Sequence, residues 1–117
     1  MANHESNLQI ACVRWFKFFQ YKELAMLLFA IPNGGQRNRV TAAYLKKEGV
    51  TAGVHDLFLS VPRAEFHGLY IEMKFGNNKL TQKQIEFKKQ VEAQGYKSII
   101  IYEFDDFVEE VTNYLNL

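Results

Sequence analysis

Residues 55–61 and 69–75 each alternate side chains with the period of two that a pleated strand imposes. Between them lie only Pro62-Arg63-Ala64-Glu65-Phe66-His67-Gly68, a connection short enough to fold the two runs into an antiparallel hairpin. Alternation puts Leu57, Leu59 and Val61 on one face with Leu69, Ile71, Met73 and Phe75. The opposite face gathers Asp56, Phe58 and Ser60 with Tyr70, Glu72 and Lys74. One face is wholly apolar and must be covered. If the hairpin is symmetric about residue 65, Asp56 lies opposite Lys74 and diagonal to Glu72, at Cα separations of about 5 and 7–8 Å.

The flanking segments supply the cover. A helix is expected over about residues 4–20, where Leu8, Cys12, Trp15, Phe16 and Phe19 form one apolar stripe. One turn back along that stripe lies Glu5, a carboxylate at the helix start that also suits the macrodipole there. The apolar run 24–31, closed by Pro32-Asn33-Gly34-Gly35, reads as a buried strand, and 37–48 as a short helix ending at Gly49. After the hairpin, Thr81 and Gln84 form a T-x-x-Q capping box, with Leu80 and Ile85 placed as a hydrophobic staple. That helix stops at Gly95. Its Gln84 shares a face with Phe87 and Val91, so the amide turns toward the packed side. Residues 98–102, with three consecutive isoleucines, read as a central strand, and Asp105 as the cap of a last helix carrying Phe107, Val108, Val111 and Leu115. The expected architecture is α/β, a mixed β-sheet flanked by helices in the order α-β-α-β-β-α-β-α.

At 117 residues, with ten Phe, six Tyr and one Trp, the chain has enough apolar area for one core of its own and is expected to form one domain over 1–117. One cysteine excludes an internal disulfide and a cysteine-rich zinc cluster. No apolar run is long enough to cross a bilayer, and the opening Met-Ala-Asn-His-Glu lacks the layout of a signal peptide. The expectation is a soluble, cytoplasmic protein. The net charge of +1 conceals 14 basic and 8 acidic residues over 1–98 against five acidic and no basic residues over 99–117. A basic body of that size favours a phosphate-rich partner only slightly.

Asp56, Glu72 and Lys74 together suggest phosphoester chemistry. Two carboxylates on neighbouring strands can share one hard cation, and oxygen ligands select Mg²⁺ or Mn²⁺ over zinc, with the Met73 carbonyl as a further ligand. A lysine two residues beyond Glu72 on the same face can orient or deprotonate a water, or offset charge developing on a phosphate. Taken alone, E-x-K also describes the wet side of any sheet, with weak surface pairs. The Asp at a strand start, the inward Glu5 and the capping Gln84 are what distinguish this chain.

Gly53-Val54-His55-Asp56-Leu57, Ile71-Glu72-Met73-Lys74 and Leu80-Thr81-x-x-Gln84 together resemble the signature of the VRR-NUC domains, virus-type replication-repair nucleases within the PD-(D/E)xK superfamily. The resemblance spans about residues 5–104 and includes the order of elements. It implies a restriction-endonuclease-like sheet, with Asp56 and Glu72 as metal ligands and Lys74 as catalytic lysine. It further implies that Glu5 binds metal directly or through water and that Gln84 helps set the site. His55 departs from the pattern, since the family commonly has proline there; strand alternation turns it to the face opposite Asp56, in a structural role. The polar loop with Asn33, Arg37 and Arg39 also resembles the family's loop after its first strand, and suits phosphate contacts or plain solubility. Lys79 and Lys83, beside a helix N-terminus, are further candidates for DNA contact.

These features imply a Mg²⁺- or Mn²⁺-dependent endodeoxyribonuclease. By likeness to stand-alone members of the family, it would be a homodimer acting on branched DNA such as Holliday junctions, with a virus or prophage one source of such a gene. The alternative is a non-catalytic DNA-binding or adaptor protein that has kept a nuclease fold.

Overall fold

The computed structural model describes residues 4–32 and 39–117. Asn33 and Arg37 therefore lie outside the described residues, as does the side chain of Arg39. Helix α1 (His4–Arg14) runs into a π-helical segment, Trp15–Gln20, and a 3-10 helix, Lys22–Leu27, leads to strand β1 (Leu28–Ala30). Helix α2 (Arg39–Lys47), strands β2 (Leu57–Leu59) and β3 (Leu69–Met73), helix α3 (Gln82–Ala93), strand β4 (Lys97–Ile101) and helix α4 (Phe104–Leu115) complete the order. Among the described residues no helix is long and apolar enough to cross a membrane.

The sheet is mixed, in the order β1-β2-β3-β4. Strands β1, β2 and β3 pair antiparallel, and the α3 crossover brings β4 parallel to β3. Leu57, Leu59, Leu69, Ile71, Met73, Ile99 and Ile101 project to the expected apolar face and pack with Cys12, Phe16, Phe107, Val111 and Tyr114 of the α1 and α4 layer. Burial pushes the Cys12 thiol up to about 12, so it stays protonated as a small apolar group. On the other face Phe58, Tyr70 and Tyr96 meet Phe87 of α3 through a run of tilted and edge-on ring contacts.

Several expectations are corrected. Residues 24–27 are wound into the 3-10 helix, leaving a three-residue strand, and β1 is an edge strand with Phe29 and Ala30 exposed. A continuous apolar run does not distinguish a short buried strand from a tight helical turn. Phe19 is exposed because the helix widens to i→i+5 bonding, as in Tyr21 N–H to Phe16 O at 2.9 Å, and the α-helical stripe no longer continues. Strand β4 is buried by the helices on its two faces although it closes the sheet's other edge. The residue at the α4 N-cap is Glu103, without a side-chain bond, and Asp105 sits inside the first turn.

One polar tie locks the core to the C-terminal helix. The Tyr114 hydroxyl donates to the Val61 carbonyl at 2.6 Å, fully buried, and Arg63 Nε donates to the Leu115 carbonyl at 3.1 Å. Tyr114→Phe keeps the ring and strands that carbonyl, so it is expected to cost about 1–3 kcal/mol. The loss should read as a lower urea midpoint at unchanged slope.

Candidate functional site

The site lies where β3 and β4 end and β2 begins, the carboxyl edge of the parallel pair, where open α/β sheets place their ligands. The observed register pairs Leu57 with Ile71 and Phe58 with Tyr70. Continued one residue, it sets Asp56 level with Glu72 rather than with Lys74. The hairpin is thus centred on residue 64, where Ala64 takes a left-handed φ of 50° between the bridged Arg63 and Phe66. The shift brings the two carboxylates closer together than the expected register does.

Each acid is held by a specific partner. Asp56 Oδ2 accepts the Met73 N–H at 2.8 Å. Gln84 Nε2 donates to Glu72 Oε2 at 2.9 Å, while Gln84 Oε1 accepts the Thr81 N–H at 2.9 Å and Thr81 Oγ1 accepts the Gln84 N–H at 3.2 Å. The capping box therefore does two jobs. It starts α3, and by engaging the amide oxygen it leaves only the NH₂ end of Gln84 to face Glu72. Lys74 stays joined to β4 through its N–H to the Ile101 carbonyl and places Nζ 3.9 Å from Glu72 Oε2. Glu72 and Lys74 are 3% and 7% exposed, so this pair lies in the floor of the site and not on the wet side of a sheet.

The structure corrects the reading of His55. It turns inward, its Nδ1 3.4 Å from Glu72 Oε1 and its Nε2 2.7 Å from Ser98 Oγ. Strand β2 begins only at Leu57, so the alternation of the pleat does not extend to residue 55. What aims it is Gly53, at φ +93°, where a Cβ would meet the Lys83 carbonyl oxygen at 2.5 Å. The bend lies directly on the first turn of α3. A glycine two residues ahead of a buried histidine was the available signal.

Glu5 stands at the rim. Its Oε2 accepts from Asn78 Nδ2 at 3.3 Å, and Asn78 is itself fixed by the Tyr102 hydroxyl donating to its carbonyl at 2.7 Å. His4 stacks on Phe75 at 4.3 Å and fastens the same end of α1 to the loop after β3. A cleft of about 530 Å³ opens from Glu5, Asp56 and Met73 along α1 and β1. Lys79 and Lys83 are exposed before and within the first turn of α3.

The electrostatics follow from the crowding of the two carboxyls. Burial, and then Asp56 beside it, push the Glu72 carboxyl up to about 8 from the ordinary 4.5. Burial raises Asp56 as well, opposed by the Met73 N–H and Lys74. Glu72 Oε1 is buried without a hydrogen bond, since its 3.4 Å approach to His55 Nδ1 lacks hydrogen-bond geometry. Two crowded carboxyls with an orphaned oxygen fit a hard divalent cation, which would supply the absent positive charge. Asp56 and Glu72 are the residues that would hold such an ion. Among the described residues no three His, Cys, Asp or Glu side chains gather into a ready cluster, and Met73 meets Asp56 through its amide.

No family model matches this sequence, and no curated protein does. A solved structure described as a VRR_NUC domain protein superposes at a TM-score of 0.84 with 28% identity, covering 100% of this chain and 92% of that one.

The paired His55 and Glu72 make the fold pH-dependent. Burial, with Lys88 nearby, lowers His55 to about 4 from 6.5, while Glu72 rises to about 8 from 4.5. The folded pair thus holds one proton from about pH 4 to about pH 8. Unfolded, it also holds one between 4.5 and 6.5 and none above. Stability is therefore level in that window and falls as pH rises from about 6.5 to about 8. In chelator the wild-type melting temperature should show this fall and Glu72→Gln should not; equal slopes would mean that the pair does not carry the proton.

Proposed function

We propose that this chain, a VRR-NUC domain by its fold and motifs, is a divalent-metal-dependent endonuclease that hydrolyses phosphodiester bonds in DNA. The observation that carries the reading is the convergence of Asp56, Glu72 and Lys74, with the Glu72 carboxylate pinned by Gln84. A binding protein gains nothing from crowding a buried carboxylate, Glu72, and the half-buried Asp56 beside phosphate, which repels them. Bound to Asp56 and Glu72, a Mg²⁺ or Mn²⁺ ion would polarise the phosphate and acidify a water.

The chain's own groups act around that centre. Met73 holds Asp56 in place through Oδ2. Gln84 holds Glu72 through Oε2 and so fixes the position of that carboxyl group, which need not reorganise during reaction. Lys74 carries an ammonium whose position, 3.9 Å from Glu72, lets it orient the attacking water or offset charge on the phosphate in an in-line displacement. Glu5 reaches the same opening from α1 and can engage the metal through water.

Branched DNA such as a four-way junction is the proposed substrate, cut by a homodimer, because paired nicks across a junction need two coordinated sites. Phe18, Phe19 and Met26, all exposed just after α1, offer an apolar surface for the second copy.

Wild-type protein given four-way, nicked and linear duplex DNA with Mg²⁺ or Mn²⁺ is expected to cut, the branched substrate best. Asp56→Ala and Lys74→Ala should each lose about 100-fold or more in rate while still folding and binding DNA, and EDTA should stop the reaction. Unchanged cutting by either variant overturns the assignment. Binding without cutting by the wild type in both metals would instead support the adaptor reading.

A further inference from the structure

The cleft does not stop at the acidic residues. It continues along one side of α1 to Arg14 and Lys17, with the edge strand β1 as its opposite wall. Arg14 lies nine residues beyond Glu5, about 13 Å along the helix axis. Neither cation is engaged in an ion pair among the described residues. Between the acidic and basic ends, beyond Ser6 and Gln9, the lining carries the apolar side chains of Ile10 and Val13 from the helix and Phe29 from the strand. Phe29 is 44% exposed on an edge strand, although a phenylalanine there gains more from cover than from water.

We infer that this α1–β1 groove binds an unpaired nucleic-acid strand leading away from the site, with Arg14 and Lys17 on its phosphates and Phe29 as a stacking platform for a base. Three features select an unpaired strand over duplex. At about 530 Å³ the cleft is of small-ligand size and admits a nucleotide or two, not a turn of double helix. Its apolar floor would lie idle under a phosphate backbone but receives the face of an unstacked base. Its cations sit only at the end remote from Asp56, where a strand entering the site would still need its charge offset. The assignment rests on the reading of a metal-dependent DNA nuclease, not on the four-way junction as substrate, and selects among branched DNAs those with an unpaired strand beside the cut.

The test measures binding alone, with EDTA present, by fluorescence anisotropy of labelled DNA with splayed single-stranded arms, a blunt duplex of equal length, and oligothymidylate. Wild type should bind the splayed DNA and the oligothymidylate about ten-fold or more tighter than the blunt duplex. Arg14→Ala with Lys17→Ala should erase that preference and lower the salt slope on oligothymidylate by about 1.4, or 0.7 for each cation removed. Phe29→Ala should weaken binding to the unpaired probes by about five-fold or more and leave the blunt duplex unaffected. Thermal melts of each variant are expected to show a folded protein, Phe29→Ala losing its edge-on contact with Phe58. No preference in the wild type, or equal losses on all three probes, overturns the groove. If the wild type fails to cut DNA with metal, the nuclease reading fails while this comparison still reads; cutting without the preference removes only the groove.

Discussion

A carboxylate held out of water beside another carboxylate is the constraint around which this molecule is arranged. Glu72 sits on the strand that joins the antiparallel and parallel halves of the sheet, at 3% exposure, level with Asp56. Such a pair is tolerated only if its surroundings supply donors or positive charge. Gln84, Lys74 and the Met73 amide do so in part. The remainder of the deficit is visible as a raised carboxyl and an oxygen with no hydrogen bond. The chain's own donors thus fix the positions of both carboxyls without fully offsetting their charge.

Local structure and site chemistry use the same atoms. The capping box that begins α3 also locks the Gln84 amide so that its NH₂ meets Glu72. Gly53 lets the loop before Asp56 lie against the Lys83 backbone, and this same approach turns His55 in toward Glu72. Helix α1 is held at its start by Asn78 and the His4–Phe75 stack, so Glu5 remains at the cleft mouth. Each of these contacts bears on the position of Glu5, His55 or Glu72 from outside the core between the sheet and the α1 and α4 layer. The core itself, between the sheet and the α1 and α4 layer, acts as the rigid mount.

Much of the fold was legible because amphipathic periodicity and turn chemistry are local. The face assignment of β2 and β3, the capping box, the crossover and the mixed sheet all follow from neighbouring residues. The errors fall where local pattern underdetermines the outcome. An apolar run closed partly as a 3-10 helix, and a stripe was interrupted when α1 widened into a π turn. The phosphate-contact candidates Asn33, Arg37 and Arg39 lie in or beside the segment outside the described residues.

The sequence by itself determined which side chains could do chemistry: an acid at a strand start, an E-x-K pair and a capping Gln, each placed by spacing along one element. Only the tertiary structure decided how these groups meet. The register step that sets Asp56 level with Glu72, the inward turn of His55 and the groove from Glu5 to Arg14 depend on elements distant in the chain. Registers centred on residues 64 and 65 leave every side chain on the same face, so hydrophobic pattern cannot choose between them. The choice falls to the turn at Ala64 and to packing against helices whose approach no local spacing encodes.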